Sequence, residues 1–288
     1  MKVLGADLGG TRMRAAQVAP SGEVIRRAEA ATPTDAPTPA AFLDLLHRLV
    51  GGCDHAVLGI PGRIHHETGV LEHAPNLPRA WSVSLSEASL SEALGIPVHT
   101  VNDADLAAIG EGYYGAGRDY GDVLFMTFST GVGGGVLLNR RLAHGRRSIA
   151  EVGWQVVDLD AAGRGEPCHL EHLASGTALG RLGAAAGIDG GAPEVVRRMR
   201  AGDAAASAVF ARVVRAAAVG VANACFLYSP EVVVVGGGLG LMGPEFLDPI
   251  QTWLDAHGPP GMRIPVVRAA LGVDAALVGA AGWSRAMG

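Results

Sequence analysis

The sequence predicts a two-lobed α/β protein in which two mixed β-sheets are flanked by helices. A chain of 288 residues is too long for one ordinary hydrophobic core and is long enough for two lobes, each with a core of its own. Strand-like and helix-like segments alternate along the chain, which favours sheets covered by helices. A unit of strand, glycine-rich turn and strand opens the chain and returns after residue 122. We therefore predict an N-terminal small lobe at 1–115, joined by a C-terminal helix at 274–288, and a C-terminal large lobe at 116–273.

The N-terminal lobe opens as a three-stranded meander, and its other elements follow from apolar periodicity. Phe42, Leu45, Leu46 and Leu49 form one helical stripe. The polar stretch around 69–78 is predicted as a long loop. The predicted strands are 2–6, 12–18, 23–28, 56–60 and 97–101, and the predicted helices are 39–50, 85–94 and one through 106–111.

The C-terminal lobe repeats the opening pattern and then becomes mainly helical. A strand at 123–128 precedes the second glycine-rich turn, and the run of four valines at 232–235 is typical of a buried strand. The remaining predicted elements are helices at 178–186, 193–199, 204–226 and 244–256, a strand at 265–269 and the final helix at 275–287.

Composition excludes several classes of protein. Apolar residues make up 49% of the chain, charged ones 18%, and there are 42 glycines, which is typical of a globular enzyme rich in tight turns. A net charge of −5 without a block of Lys and Arg gives no reason to expect nucleic acid. No charge-free run is long enough to span a membrane and no leader precedes the first strand, so we expect a cytoplasmic protein without a membrane partner. The three cysteines lack a C-x-x-C pair and predict no disulfide.

The most informative motif is Asp7-Leu8-Gly9-Gly10-Thr11, between two apolar runs. An acidic residue at a strand end, followed by two glycines and a hydroxyl, suits a phosphate and its metal. We expect Gly9 and Gly10 to adopt positive φ and to bring backbone N–H groups close to phosphate oxygens. Asp7 could then hold a hydrated Mg²⁺. An ordinary glycine-rich hairpin turn is the alternative.

Further motifs along the chain favour the phosphate interpretation. A second turn, from Ser129 through Thr130 and Gly131, repeats the first design, and three glycines at 236–238 follow the four-valine strand. Between the two turns, Asn102 and Asp103 stand at a strand end. Two phosphate-cradling hairpins, a carboxylate between them and a late nucleotide loop together predict a cleft for phosphoryl transfer.

The chain resembles the ROK family of sugar kinases, within the actin-like ATPase superfamily. The resemblance is carried by five motifs in this order and spacing: D-L-G-G-T, N-D-A-D, S-T-G-V-G-G-G, E-V-G-W and the late G-G-G. The resemblance runs from Lys2 to about Gly282. It implies a duplicated actin-like (ribonuclease H-like) fold with a cleft between the lobes, and ATP-dependent phosphorylation of a hexose. It also implies ATP and Mg²⁺ as cofactors, a sugar and a nucleotide as small-molecule partners, and a homodimer.

The resemblance also assigns roles to residues. It implies that Asp103 is the catalytic base that takes the proton of the sugar's primary hydroxyl, although Asp is also common as a helix N-cap. Gly62 and Asn76 would line the sugar; the alternative interpretation is that these residue types are there only because they favour turns. Glu151 and Glu171, whose alternative is solvated surface, would grip its hydroxyls. These positions divide into a sugar set, Gly62, Asn76, Asn102, Glu151, Trp154 and Glu171, and a nucleotide set, Asp7, Gly9, Gly10, Thr11, Thr130, Gly131, Gly236, Gly237 and Gly238.

Trp154 marks a departure from the family. Most members have a histidine after E-x-G that joins three cysteines on a structural zinc, and here those cysteine positions fall on Ala162, Arg164 and His169. Cys168 is one position out of register, so we predict no zinc site. An indole at position 154 could stack on a sugar face, or it could be a core residue that fills the volume left by the zinc.

The leading interpretation is therefore an ATP:hexose 6-phosphotransferase with glucose as the first guess. Mannose, fructose or an N-acetylhexosamine such as N-acetylmannosamine remain alternative substrates. Polyphosphate remains an alternative phosphoryl donor, which would need a channel lined by basic residues. The only candidates for such a lining are Arg140-Arg141 and Arg146-Arg147. A non-catalytic sugar-binding regulator is the alternative of another class, although no DNA-binding helix-turn-helix fits before Asp7.

Overall fold

The computed structural model describes residues 2–74 and 77–288. These residues contain twelve strands and eleven α-helices. The strands are β1 Val3–Leu8, β2 Arg12–Val18, β3 Val24–Ala31, β4 His55–Ile60, β5 Arg63–His65, β6 Val70–His73, β7 Val98–Asn102, β8 Val123–Phe128, β9 Val132–Leu138, β10 Arg141–Leu142, β11 Val232–Gly236 and β12 Val266–Arg268. The helices are α1 Ala40–His47, α2 Glu87–Leu94, α3 Asp103–Tyr114, α4 Leu159–Gly163, α5 Leu170–Ala174, α6 Gly176–Ala185, α7 Gly191–Arg200, α8 Ala204–Tyr228, α9 Gly237–Gly240, α10 Pro244–His257 and α11 Ala275–Met287.

The chain forms two compact units, each with its own core. Unit 1 comprises Met1–Val123, Gly135–Ala150 and Val273–Gly288, and unit 2 comprises Leu124–Gly134 and Glu151–Gly272. The boundary predicted from the sequence, between residues 115 and 116, stays a prediction. The predicted α/β class with mixed sheets and flanking helices is confirmed.

The sheet of unit 1 has the strand order β3-β2-β1-β4-β7. β1, β2 and β3 are antiparallel neighbours, as the predicted meander requires, whereas β4 is parallel to both β1 and β7. The carboxyl ends of β1, β4 and β7 therefore lie at one edge of the sheet. Polar residues that follow these three strands are brought together there.

One element of unit 1 differs from the prediction. The stretch expected as a long loop, around 69–78, contains β6, which pairs with β5 to form a hairpin. At its tip, His66 donates its backbone N–H to the carbonyl of Arg146 at 3.1 Å. The His66 ring lies 4.4 Å from that of His144 between ring centroids, and both line a cavity of about 500 Å³ together with His65. Polar residues at the turn hid the strand pattern.

The helices α3 and α11 pack at backbone distance. A Cβ placed on Gly279 of α11 would lie 2.0 Å from the carbonyl oxygen of Leu106, and one placed on Gly110 of α3 would lie 2.0 Å from that of Ala275. Only glycine permits this approach at the two positions. The contact fixes α3, whose first turn carries Asp103, on the sheet of unit 1.

The second sheet has the order β10-β9-β8-β11-β12. Within unit 2, the long helix α8 packs on α5, α6, α7 and α10. By length and composition alone α8 could cross a membrane, and it is the one such helix in the described part of the chain, but a core helix meets the same criterion. The short helices α4, α5 and α9 were not predicted, since five residues or fewer show no helical period.

Candidate functional site

Asp7 lies near the carboxyl end of β1 in unit 1, opposite Arg14 of β2. The guanidinium of Arg14 donates to Oδ2 of Asp7 at 3.4 Å, and the Asp7 side chain is 18% exposed. Burial, and then the neighbouring Asp103 carboxylate, raise the pKa of Asp7 to about 7, and Arg14 offsets part of that rise. The charge on Asp7 is therefore opposed by a second carboxylate, Asp103, and favoured by the guanidinium of Arg14.

The turn after Asp7 is closed by backbone hydrogen bonds. Gly9 donates its N–H to the carbonyl of Arg12 at 2.9 Å, and Thr32 reaches the Gly9 carbonyl with its hydroxyl at 2.7 Å. Neither Gly9 nor Gly10 has a positive φ, so that expectation is wrong. Glycine is required at position 9 for another reason, since a Cβ there would lie 2.8 Å from the Arg12 carbonyl oxygen. Thr11 follows on this turn.

Asn102 and Asp103 lie at the junction of β7 and α3. Asn102 caps the helix, because its Oδ1 accepts from the N–H of Ala104 at 3.0 Å and of Asp105 at 3.3 Å. The interpretation of Asp103 as the cap is therefore wrong: Asp103 is the first helical residue, and its carboxylate is held at the positive end of α3. A Cβ on Gly59 of β4 would lie 3.3 Å from the Asp103 Cα, so the two backbones approach closely.

The amide of Asn102 also donates to the carbonyl of Gly62 at 3.1 Å. Gly62 has a φ of 122°, and a Cβ would lie 2.1 Å from the His73 carbonyl oxygen, so only glycine fits. Asn76, the other predicted sugar residue of this loop, lies outside the described residues. Unit 1 thus gathers Asp7, Gly62, Asn102 and Asp103 at one sheet edge.

In unit 2 the turn between β8 and β9 carries Thr130 and Gly131. Glu171, at the start of α5, accepts the N–H of Val132 through Oε2 at 2.9 Å. From α6, Thr177 donates its hydroxyl to the Thr130 carbonyl at 2.7 Å. The structure therefore brings three predicted residues, Thr130, Gly131 and Glu171, into one hydrogen-bonded cluster.

Glu151 immediately precedes a short 3₁₀ turn, Val152–Trp154, and Trp154 is its last residue. A Cβ on Gly153 would lie 2.3 Å from the Val132 carbonyl oxygen, so this turn packs directly against the start of β9. Trp154 is 60% exposed, and the interpretation of this indole as a buried core residue is therefore wrong. Its ring meets His169 edge-on, with 5.1 Å between centroids, and His169 Nδ1 lies 2.9 Å from the Trp154 carbonyl oxygen.

The late glycines follow β11. Gly237 has a φ of 76°, and a Cβ would lie 2.4 Å from the Phe128 carbonyl oxygen, whereas nothing lies within 4 Å of a Cβ on Gly238. Gly236 ends the strand and Gly237 begins α9. The backbone at Gly237 therefore packs against the end of β8, whereas the space beside Gly238 is open.

Within residues 2–74 and 77–288, no group of three or more His, Cys, Asp or Glu side chains is arranged to hold a metal ion. Cys168 is buried, and its carbonyl accepts the N–H of Val157 at 3.0 Å. The absence of zinc stays a prediction.

The sequence matches the ROK family over residues 3–287. The chain belongs to the ROK family. The resemblance inferred from the motifs is thereby confirmed, and so is the fold that it implied, because solved ROK structures superpose on this chain over nearly its whole length.

Two relatives of this ROK protein illustrate its similarity to named enzymes. It is 34% identical over 282 residues to the bifunctional enzyme NanE/NanK of Brucella suis biovar 1 (strain 1330). This match covers 97% of this chain but only 52% of that enzyme. The chain thus spans about half the length of the first curated relatives it matches. It is 31% identical to the N-acetylmannosamine kinase of Escherichia fergusonii, covering 98% of this chain and 97% of that one.

A crystal structure of a ROK family glucokinase from Streptomyces griseus in complex with glucose and AMPPNP matches with a TM-score of 0.83 at 30% identity. The match covers 99% of each chain. That protein binds a sugar and an ATP analogue on the fold that this chain shares.

Sequence reasoning missed the residues that hold the predicted ones in place. Arg14 and Thr32 in unit 1, and Gly153 and Thr177 in unit 2, contact predicted residues through backbone or side chain. Strand pairing could have identified Arg14, which stands opposite Asp7 across the hairpin. The others act through contacts between distant segments, for which the sequence carries no signal.

Proposed function

We propose that this ROK protein is an ATP-dependent sugar kinase that phosphorylates the 6-hydroxyl of a hexose, with glucose as the first candidate. The observation that carries the proposal is the cluster in unit 1, in which Asp103 at the start of α3 lies beside Asp7, and Asn102 is bonded to Gly62. A carboxylate suited to accept a hydroxyl proton thus lies next to a second carboxylate suited to a phosphate-bound cation. Family membership supports the same reaction class.

In the proposed reaction, Asp103 accepts the proton of the sugar hydroxyl as its oxygen attacks the γ-phosphorus. The new O–P bond forms while the bond from the γ-phosphorus to the bridging oxygen breaks, and ADP leaves with that electron pair. Asn102 orients the sugar, because its amide is fixed by the Gly62 carbonyl and by the helix N–H groups that it caps. Positioning supplies most of the rate enhancement in this kind of transfer.

The residues around Asp7 fit a divalent cation. Desolvation and the charge of Asp103 both disfavour an ionised Asp7, and a nearby cation would offset both effects. Asp7 would hold Mg²⁺ through a water molecule. The cation, when bound, supplies charge neutralisation to the phosphates. For unit 1 we propose that Gly9, Gly10 and Thr11 bind phosphate. For unit 2 we propose that Thr130 and Gly131 bind phosphate and that 236–238 approach the adenosine.

The identity of the sugar depends on Glu151, Glu171 and Trp154. We propose that the two glutamates bind sugar hydroxyls and that the exposed indole stacks on the apolar face of the pyranose. Relatives of similar identity are named for glucose and for N-acetylmannosamine, so both sugars belong in the first assay.

The basic residues near β10 support ATP over polyphosphate. Arg140 donates to the carbonyls of Arg118 and Tyr120, both at 3.0 Å, and stacks on the Tyr113 ring. Arg147 is paired with Glu72. Two of the four candidate arginines, Arg140 and Arg147, therefore hold loops of unit 1 together, which makes their side chains less available to line a polyphosphate channel.

The deciding experiment measures ADP release from MgATP with glucose, mannose, fructose, N-acetylglucosamine and N-acetylmannosamine, for the wild type and for Asp103→Asn. We expect one sugar to dominate and the variant to lose at least about 10³-fold in kcat, because general-base catalysis and substrate orientation are lost together. NMR of the product identifies the phosphorylated oxygen. Polyphosphate in place of ATP tests the other donor.

Turnover by Asp103→Asn near the wild-type rate would refute the assignment of the base. Binding of a sugar without turnover from either donor would favour the non-catalytic regulator. The homodimer, the cytoplasmic location and the lack of a nucleic-acid or membrane partner stay predictions.

A further inference from the structure

The turn between β8 and β9 is held from two sides by contacts within unit 2. On one side, the hydroxyl of Thr177 and the N–H of Gly176 bond to the carbonyls of Thr130 and Ser129, at 2.7 and 2.6 Å. On the other side, the carboxylate of Glu171 accepts the Val132 N–H at 2.9 Å. The conformation of the turn therefore depends on α5 and α6.

Glu171 lies close to Gly131 as well as to Val132. A Cβ on Gly131 would lie 2.4 Å from Glu171 Oε2 and 3.2 Å from its Cδ, so the absence of a side chain at 131 makes room for this carboxylate. Only one carboxylate oxygen is used by Val132. The Glu171 residue is nevertheless exposed, which leaves its other oxygen accessible to a ligand.

We propose that Glu171 is a positioning residue that couples sugar binding to nucleotide binding. The inference rests on the proposed function and deepens it. One carboxylate oxygen fixes the turn that meets the phosphates, and the other accepts a sugar hydroxyl. A bound sugar restricts the Glu171 side chain and thereby orders the turn, so each ligand tightens the binding of the other by the same factor.

The test is calorimetric and does not depend on turnover. AMPPNP with Mg²⁺ is titrated into the protein with and without saturating glucose, and then N-acetylmannosamine, and the ratio of the two dissociation constants is the coupling factor. We expect at least about a fivefold factor for the wild type with one of the sugars. Turnover in the sugar panel is scored separately, so its failure refutes the proposed kinase activity without bearing on the coupling.

Two variants remove one hydrogen bond each from the turn. Glu171→Ala should weaken AMPPNP binding without sugar by about tenfold, the value of one charged hydrogen bond, and should reduce the coupling factor below about twofold. Thr177→Val, the matched control, should also weaken AMPPNP binding but leave the coupling factor unchanged, because Thr177 is not placed in the sugar set. Glu171→Gln should restore AMPPNP affinity without sugar, since its amide oxygen can accept from Val132.

Three results would overturn the inference. The first is a wild type in which neither sugar changes AMPPNP affinity. The second is a Glu171→Ala protein that retains the wild-type coupling factor. The third is a Thr177→Val protein that loses the coupling as completely as Glu171→Ala, since a general loosening of the turn would then explain both.

Discussion

Replacing Gly279 with Ala tests whether the backbone contact between α3 and α11 fixes the candidate catalytic residue. The new Cβ would lie 2.0 Å from the Leu106 carbonyl oxygen, whereas ordinary van der Waals contact begins at 3.4 Å. The two helices must therefore separate locally by about 1.4 Å, the difference between these distances. Neither partner can yield by rotating a side chain, because the obstructing atom belongs to the backbone of α3.

The expected cost follows from two opposing effects. Overpacking of a well-packed contact costs roughly 1–3 kcal/mol, and a backbone obstruction belongs at the upper end of that range. Alanine gains up to about 1 kcal/mol of helix propensity over glycine. The net loss in the free energy of unfolding of unit 1 is therefore about 2 kcal/mol. A shift of α3 also displaces Asp103, so kcat should fall more than the loss of folded protein explains.

Urea unfolding followed by circular dichroism measures the stability, and the sugar-kinase assay on the folded fraction measures kcat. Gly163→Ala is the matched control, because nothing lies within 4 Å of a Cβ at this last residue of α4, and it should leave both quantities nearly unchanged. A Gly279→Ala protein within about 0.5 kcal/mol of the wild type, with unchanged kcat, would show that the helices adapt and that the contact does not position Asp103.

Two further predictions concern unit 1. Asn102→Ala removes the cap of α3 and the bond to Gly62, so unfolding should become easier by about 1–2 kcal/mol and the KM for the sugar should rise; an Asn102→Asp variant, which keeps the cap alone, should recover stability without recovering KM. Burial, and then His144 and His65, lower the pKa of His66 to about 4, so the folded state favours the neutral ring. Stability should therefore be unaffected above pH 6.5 and fall as pH drops towards 4, by no more than about 2 kcal/mol because solvent screens the partly exposed ring. His66→Gln should flatten this part of the pH profile of urea unfolding, and an unaltered profile would contradict the cause assigned.

The elements that the sequence predicted are those with strong local signals. Apolar runs predicted β1, β4 and β11. The apolar stripe of Phe42, Leu45 and Leu46 predicted α1, and these three side chains are fully or almost fully buried. The hairpin of β5 and β6 was missed because its short strands carry mostly polar side chains.

The sequence suggested residues for the candidate site, and these stay predictions, but it gave no signal for the contacts between them. The positions of Asp7, Asn102 and Asp103 follow from strand ends and a family motif. The bond from Glu171 to Val132 joins residues 39 positions apart, and its geometry depends on how α5 packs beside the turn. Likewise, nothing in the sequence says that Asn102, rather than Asp103, caps α3, since both residue types are good caps.

The position of α11 has a consequence for the order in which the protein is made. This helix is synthesised after every other described helix and strand, yet it packs on α3, β1, β2 and β4 of unit 1. During translation, one apolar face of the N-terminal sheet stays uncovered until residues 275–287 leave the ribosome. By then every segment of unit 2 has already emerged. The first half of the chain to be synthesised is therefore the second to complete its fold, and a nascent chain stalled near residue 270 would expose the side of unit 1 that α11 covers.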